Sequence, residues 1–173
     1  MLKLTRFSLG FLFLLACGAY TLAQKVEVDW DHSANFEGFH TYAWAPGTPA
    51  SSLWDQRITG DVDQQLAAKG LQKVDSNGNP DLVVIYHAAV GQDTQYNTMN
   101  MGGWGWWGGG MSTTTVEKIP TSTLIVDIGN AKTKKMLWKG TASDTLSDNP
   151  NKNRDTLEKS IDKMFKKFPP PEK

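Results

Sequence analysis

The chain has very little cysteine: the single one, Cys17, lies inside an apolar N-terminal run. Without a second cysteine no disulfide can form within the chain, so packing must stabilise the folded part. The chain also lacks an excess of charge of either sign, with 18 basic and 18 acidic residues. Because a near-neutral protein has no basic field to concentrate nucleic acid, we expect no nucleic-acid binding. Its 173 residues suit one domain built around one core.

The N-terminal segment has the pattern of a secretory signal peptide over residues 1–23. Lys3 and Arg6 precede an apolar run that is too short for a transmembrane helix, which needs roughly 20 apolar residues. Ala23 and the threonine two positions before it provide the small residues that signal peptidase requires. Cys17 follows Leu-Leu-Ala and offers an alternative site, at which it would become a lipidated N-terminus. We favour cleavage after Ala23, because a strand pattern starts only eight residues after Cys17. Either site predicts an exported protein, periplasmic or associated with the outer membrane.

Most of the remaining chain has strand patterns. Residues 25–31 alternate between apolar and charged side chains, which predicts a strand with one solvent-facing side. Residues 81–90 are apolar at both parities, so we expect this strand to be the most buried one and central in the sheet. Pro120 is expected to interrupt the strand pattern around it. The predicted strands cover residues 25–31, 39–44, 71–75, 81–90, 112–119, 122–128 and 135–141.

Two segments have the apolar spacing of amphipathic helices. The first follows an N-cap at Ser51 or Ser52 and ends at Gly70, and the second starts at Asn149 and Pro150. Two helices among many consecutive strands predict an α+β fold: one antiparallel or mixed sheet of about six or seven strands, with both helices packed on one face. The expected apolar stripes are Leu53, Ile58, Val62 and Leu66 in the first helix, and Leu157, Ile161, Met164, Phe165 and Phe168 in the second.

Three groups of segments carry a likeness to a known family. In chain order they are residues 28–36 with 41–44, residues 65–71 with 80–84 and 86–88, and residues 124–127 with 134–140 and 164–169. Together these segments resemble the bacterial envelope family called domain of unknown function 4136. The resemblance implies one domain over residues 24–173 and an exported protein, since many members are lipoproteins. It brings no established activity and no catalytic residues.

The histidines and carboxylates do not form a recognisable catalytic or metal-binding motif. His32, His40 and His87 are not at metal-ligand spacing, and the sequence has no nucleophile elbow or phosphate-binding glycine loop. We therefore expect a protein that is not an enzyme and that uses no cofactor or metal. One rival hypothesis is a weak hydrolase in which His87 and Asp127 act together. It requires the two side chains to lie within hydrogen-bonding distance in a cleft.

The unusual part of the chain is a Gly/Trp/Met-rich stretch over residues 92–111, which we expect to be a loop. Its second half has six glycines in nine residues together with three tryptophans. Glycine is costly to order, whereas tryptophan offers a large apolar area. The simplest interpretation is a loop between neighbouring strands whose tryptophans pack back on the sheet. The candidate binding residues in it are Met99, Met101, Trp104, Trp106, Trp107 and Met111.

Three functional interpretations of this loop are open. It could stack on the sugar rings of a cell-wall polymer or dock an envelope protein. Its tryptophans could instead lie at the headgroup level of a membrane, although the glycine-rich part carries no charge. Its methionine thioethers could also bind Cu(I). We favour the first interpretation, which predicts a non-catalytic accessory protein of the cell envelope that binds a partner or surface through this loop.

Overall fold

The computed structural model describes residues 25–101 and 111–170 of the chain. They form a six-stranded mixed sheet and two helices, which confirms the predicted α+β fold. The predicted signal peptide, with Cys17, lies outside the described residues. The elements in chain order are β1 (Lys25–Trp30), β2 (Thr41–Trp44), α1 (Ser52–Ala68), β3 (Gln72–Lys73), β4 (Leu82–Met101), β5 (Met111–Asn130), β6 (Met136–Thr145) and α2 (Pro150–Phe165).

The sheet has the strand order β1-β6-β5-β4-β2-β3. Neighbouring strands are antiparallel from β1 through β6 and β5 to β4. β2 runs parallel to both of its neighbours, β4 on one side and β3 on the other. The parallel pairing of β2 with β4 is possible because the connection between them contains α1 and β3. Within the part of the chain that the structure describes, neither helix is long and apolar enough to cross a membrane.

Both helices pack on the same face of the sheet and share one apolar core with it. Trp138 on β6 is fully buried, and its ring lies 5.2 Å from that of Phe165 and 5.4 Å from that of Phe168, measured between centroids. Gly140 gives this indole its space, because a Cβ there would lie 2.6 Å from the Trp138 ring. Large aromatic rings of this kind dominate the energetics of a core. Other core residues are Ile58, Val62, Leu66, Leu82, Val84, Val126, Ile128, Ile161 and Met164.

The opposite face of the sheet, which we call the open face, is only partly covered. Along β4, the buried Leu82 and Val84 alternate with the half-exposed Val83 and Ile85. Although residues 81–90 are apolar at both odd and even positions, only one face of this strand is buried, because the helices cover that face alone. β4 does lie in the interior of the sheet, between β5 and β2.

The helix ends follow the predicted capping signals. α1 begins after Ser51 and ends before Gly70, whose φ of +85° is the left-handed conformation that favours glycine. α2 begins after Asn149, whose side chain accepts a hydrogen bond from the N–H of Asn151 at 3.0 Å. Leu53 is an exception to the predicted stripes. It is 55% exposed, because the first turn of α1 lies at the margin of the core.

Pro120 does not interrupt a strand, since β5 runs through it. Its carbonyl accepts a hydrogen bond from the N–H of Leu146 at 2.8 Å, on the side where β6 ends at Thr145. In an antiparallel strand the N–H and C=O of one residue point to the same side. The N–H that proline lacks would therefore point past the end of β6, and the β4–β5 ladder loses no hydrogen bond.

The predicted loop over residues 92–111 is mostly strand. β4 continues to Met101 and β5 starts at Met111, and the two are paired up to these residues. Of the predicted loop, residues 102–110 lie outside the described residues. The loop prediction was wrong for residues 92–101 because it relied on the absence of an apolar alternation. Threonine and tyrosine favour strands even where no such alternation is present. In the predicted loop such residues are Thr94, Tyr96 and Thr98.

Candidate functional site

The β4–β5 hairpin extends far beyond the rest of the sheet. β6 ends at Thr145, and the bridge between Thr48 and His87 is the last pairing of the β2 side with β4. Beyond these points residues 92–101 pair with residues 111–120 and, in the described part of the chain, with no third strand. At about 3.3 Å per residue, this two-stranded extension is roughly 33 Å long. We call residues 92–101 and 111–120 the ribbon, and the end of the sheet from which it projects the ribbon pole.

Three of the candidate binding residues lie at the far end of the ribbon. Met101 is directly opposite Met111 in the register, and Met99 lies two residues earlier in β4. Residues 102–110 connect Met101 to Met111 in the sequence. These two residues lie roughly 33 Å from the base of the ribbon. The tryptophans that lie outside the described residues are Trp104, Trp106 and Trp107.

The start of the domain also lies at the ribbon pole. Lys25, the first residue of β1, is opposite Ser143, two residues before the end of β6. α2 follows β6 after a short connection, and α1 begins soon after Ala50, whose N–H donates to the Tyr86 hydroxyl at 3.3 Å. The N-terminal ends of both helices, the start of β1 and the base of the ribbon are therefore at one end of the molecule. The chain that precedes residue 25 is attached at this end.

A cavity of about 510 Å³, which we call the helix cavity, lies between the two helices and the sheet at the ribbon pole. Its sheet side is lined by helix-facing residues, the small Ala88, Ser122 and Ala142 together with the larger Leu124. Farther from the ribbon, β5 and β6 carry Val126 and Trp138 on this face, and these larger side chains fill the space. Cavities of this volume are typical of small-molecule sites. Sequence analysis missed the helix cavity, although small residues at helix-facing strand positions are a signal for it.

Asn153, Ser160 and Asp144, three polar side chains of the cavity wall, already have hydrogen-bond partners. Asn153 accepts a hydrogen bond from the N–H of Ser147 at 2.8 Å and donates one to the carbonyl of Ser147 at 2.7 Å. The Ser160 hydroxyl donates to the Thr156 carbonyl at 2.8 Å. Asp144, the one ionisable residue among those that line the cavity, accepts a hydrogen bond from the next N–H along the chain at 2.7 Å. The interior of the cavity therefore offers mainly carbon atoms to a ligand.

His87 and Asp127 lie on the open face but do not form a catalytic pair. The register of β4 and β5 makes them diagonal neighbours on adjacent strands. Nδ1 of His87 is 2.9 Å from the Thr48 hydroxyl, and Asp127 forms an ion pair with Lys139 at 3.5 Å. Among the described residues no hydrogen bond joins the two side chains, and neither lines the helix cavity. The geometric condition of the hydrolase hypothesis is not met.

A second cavity, of about 780 Å³, lies at the end of the molecule opposite the ribbon and is lined in part by His32 and His40. The His32 ring lies against that of Trp30, with 4.8 Å between centroids. Asp31 accepts hydrogen bonds from the Ser33 hydroxyl at 2.6 Å and N–H at 2.8 Å, and these bonds lower the pKa of its carboxyl. The serine thus contacts the carboxylate with no histidine between them, unlike a catalytic triad. In residues 25–101 and 111–170, no group of three or more His, Cys, Asp or Glu is placed to hold a metal ion.

Asp63 of α1 is a structural carboxylate that connects the helix to two strands. It accepts hydrogen bonds from the Tyr42 hydroxyl at 2.7 Å, from Nε1 of Trp44 at 2.8 Å and from Nζ of Lys73 at 2.8 Å. Burial raises the pKa of Asp63, but these hydrogen bonds more than offset burial and the pKa falls below 3.8. Burial and the bond to Asp63 raise the pKa of the Tyr42 hydroxyl. All of its contacts hold the fold together, so we assign Asp63 no part in a site.

Comparisons with known proteins give a family and a fold. The family model described as "Domain of unknown function (DUF4136)" matches residues 26–170. A PDZ domain protein from Parabacteroides distasonis ATCC 8503 has a similar structure, with a TM-score of 0.56 and 14% identity over 86% of this chain and 36% of that one. This chain therefore spans about a third of that protein's chain.

A second similar structure is a PelC dodecamer from Paraburkholderia phytofirmans, with a TM-score of 0.50 and 12% identity over 82% of this chain and 95% of that one. Identities this low show a shared fold alone. No curated protein matches the sequence.

Proposed function

The chain belongs to the family described as Domain of unknown function (DUF4136), and we propose that it is a non-catalytic binding protein of the cell envelope. Its ligand in this proposal is a neutral glycan of the cell wall. The binding element is the Gly/Trp-rich segment over residues 102–110, presented at the end of the ribbon.

The length of the ribbon is the observation that carries this proposal. Two strands with no third neighbour are marginally stable in water, yet residues 92–101 and 111–120 remain paired for roughly 33 Å beyond the sheet. The described apolar core lies between the two helices and the sheet and includes no residue of this extension. The extension therefore contributes little to the core. It is suited to holding its connecting segment at a distance from the domain, where a large polymer can reach it.

The composition of the connecting segment favours a neutral glycan. Residues 99–111 contain no ionisable side chain, so attraction between opposite charges cannot supply the affinity. Three indole rings offer flat apolar faces that fit the C–H faces of sugar rings, and each indole N–H can donate to a hydroxyl. Glycines on both sides of the tryptophans let the backbone adapt to the polymer.

Export supports an envelope ligand. The signal-peptide pattern of residues 1–23 directs the chain out of the cytoplasm, and cleavage after Ala23 would leave a mature domain with 16 basic and 18 acidic residues. A protein anchored through Cys17 would instead hold its ribbon pole toward the membrane, because β1 starts at that pole. The proposal takes cleavage after Ala23.

Co-sedimentation with purified peptidoglycan sacculi tests the proposal. We expect the protein to sediment with sacculi equally well at low and high salt, because screening affects only charged contacts. The triple variant in which Trp104, Trp106 and Trp107 become alanine should bind at least tenfold more weakly. The matched triple phenylalanine variant should retain most of the binding, because it keeps three aromatic faces.

Equal sedimentation of the alanine variant would contradict the proposal. So would binding to vesicles of a neutral phospholipid combined with no binding to sacculi, since that result would assign the tryptophans to a membrane interface.

One observation favours a second candidate function, the binding of Cu(I). The register places Met101 directly opposite Met111 at the end of the ribbon, and thioethers are soft ligands suited to this ion. Stoichiometric uptake of Cu(I) in the presence of a competing chelator would support it, provided that Met101→Leu abolishes uptake and Met136→Leu does not. Met136 is a suitable control because it is 50% exposed and lies at the start of β6, away from the ribbon.

A further inference from the structure

We propose that the helix cavity binds one alkyl chain of a neutral or cationic amphiphile. This site is separate from the ribbon and does not depend on the function proposed for the tryptophan segment.

The cavity occupies a place where a continuous core would be expected. Several helix-facing positions near the ribbon pole carry small residues, although the larger Leu124 on β5 also lines the cavity. On β6 the helix-facing residue changes from Trp138 to Ala142, and on β5 it changes from Val126 to Ser122. Interiors are normally packed without voids larger than a water molecule, so an opening of about 510 Å³ between both helices and the sheet is unusual.

The cavity wall selects for an apolar ligand. A sugar or a peptide would need unpaired donors and acceptors, but the polar groups of Asn153 and Ser160 are already engaged with neighbouring carbonyls and an N–H. Most of the remaining contact surface is carbon, with Trp54, Ile58 and Leu157 as its largest apolar side chains. A methylene chain makes no hydrogen bonds with water, so it gives up none when it moves onto such a surface. Each CH₂ that is buried there favours binding.

The rim of the cavity determines the kind of headgroup. Asp144 is the one ionisable residue among the lining residues, and no lysine or arginine accompanies it there. This carboxylate would repel an anionic headgroup. A hydroxyl could donate a hydrogen bond to it, and an ammonium group could form an ion pair with it.

Val90, which also lines the cavity, is 76% exposed at the base of the ribbon. Exposed apolar side chains beside an opening are typical of an entrance for an apolar ligand. The entrance lies at the ribbon pole, where β1 also starts.

Isothermal titration calorimetry with three twelve-carbon probes tests the proposal, with dodecanol kept below its solubility limit and the two charged probes below their micelle concentrations. We expect dodecanol and dodecylamine to bind with one molecule per chain, and dodecanoate to bind at least tenfold more weakly. Asp144→Asn should reduce this discrimination between the amine and the carboxylate. Binding of all three probes with equal affinity, or of none, would overturn the proposal.

Two cavity-filling variants and one control locate the site. Ala142→Leu fills the cavity from the sheet side and should weaken dodecanol binding at least tenfold. Thr141→Leu, the matched control, adds bulk at the next residue of β6, which faces the open side of the sheet. It should leave binding unchanged. Ala88→Leu fills the same cavity from β4 and provides a second test should Ala142→Leu fail to give native far-UV circular dichroism.

The tryptophan segment must be separated from the cavity. The triple alanine variant of Trp104, Trp106 and Trp107 should bind dodecanol as the parent protein does. Loss of dodecanol binding in that variant, with retention in Ala142→Leu, would place the alkyl chain at the ribbon and refute the cavity proposal. It would leave the sacculus experiment to decide the function of the ribbon.

Discussion

Replacement of Asp63 offers a quantitative test of how α1 is attached to the sheet. Its carboxylate accepts hydrogen bonds from the buried Tyr42 hydroxyl and from the Trp44 indole N–H, and it pairs with Lys73. Hydrogen bonds to a charged group contribute about 1.5–3 kcal/mol each to stability. The pair with Lys73 contributes at most about 1 kcal/mol, because the lysine side chain is 52% exposed.

These values predict a clear order among variants. Asp63→Ala leaves two donors without their acceptor and should lower the free energy of unfolding by about 3–5 kcal/mol. Asp63→Asn keeps one acceptor oxygen and should lower it by about 1–2 kcal/mol, since its hydrogen bonds are no longer charge-assisted. Lys73→Ala should lower it by less than about 1 kcal/mol. Urea unfolding followed by far-UV circular dichroism measures all three.

The acid dependence gives an independent check of the same contacts. The pKa of Asp63 in the folded protein lies below its usual value of 3.8. Its charge therefore stabilises the fold fully above pH 3.8, and this stabilisation is lost as the pH falls through the lower folded value. The difference between the parent protein and Asp63→Asn should shrink over that range. An Asp63→Ala variant as stable as Lys73→Ala, or a difference from Asp63→Asn that does not change with pH, would refute the reasoning.

Three further substitutions have defined outcomes in the same unfolding assay. Gly140→Ala should destabilise by about 1–3 kcal/mol, because the added Cβ would lie 2.8 Å from Sδ of Met164 in a packed core; an unchanged midpoint would show that this part of the core is loose. Burial and repulsion by Glu158 raise the pKa of Asp61, so Asp61→Asn should stabilise at neutral pH, and the gain should vanish as the pH falls through the raised value toward 3.8; destabilisation at pH 7 would contradict this. Asn149→Ala removes the cap of α2 and should destabilise by about 1 kcal/mol, with a serine replacement close to the parent protein.

The helices could be predicted from the sequence because their signals are local. Asn149 followed by proline marks the start of α2, and Gly70 marks the end of α1 through a backbone conformation that few other residues adopt. The apolar stripe of α2 also survives in the structure, with Ile161 and Phe165 fully buried. These features depend on residues within a few positions of one another, so a single sequence contains them.

The strands were harder to predict, because their extent depends on partners that are distant in sequence. Pro120 was expected to end a strand, but its missing N–H points to a side where β6 has already ended. Residues 92–101 lack an apolar alternation, yet they pair with residues 111–120 along their whole length. Neither outcome can be deduced from the local pattern alone.

The helix cavity could not be deduced from the sequence either. Ala88 and Ala142 are unremarkable small residues of strands until the register shows that both face the helices at the same end of the sheet. Asp127 and His87 illustrate the opposite case. They were a plausible pair by residue type, and the structure gives each a different partner, Lys139 and Thr48.

A distance measurement across the ribbon tests the central claim most directly. Spin labels at Asn100→Cys and Lys139→Cys, in a Cys17→Ser background, report how far the ribbon projects. Lys139 lies in line with Ile85 through the β6–β5–β4 register, and fifteen residues of β4 separate that point from residue 100, which corresponds to roughly 50 Å along the strand. Electron–electron double resonance should give a distance near that value. A distribution centred below roughly 30 Å would show the ribbon folded back on the sheet, and the proposed presentation of the tryptophan segment would be wrong.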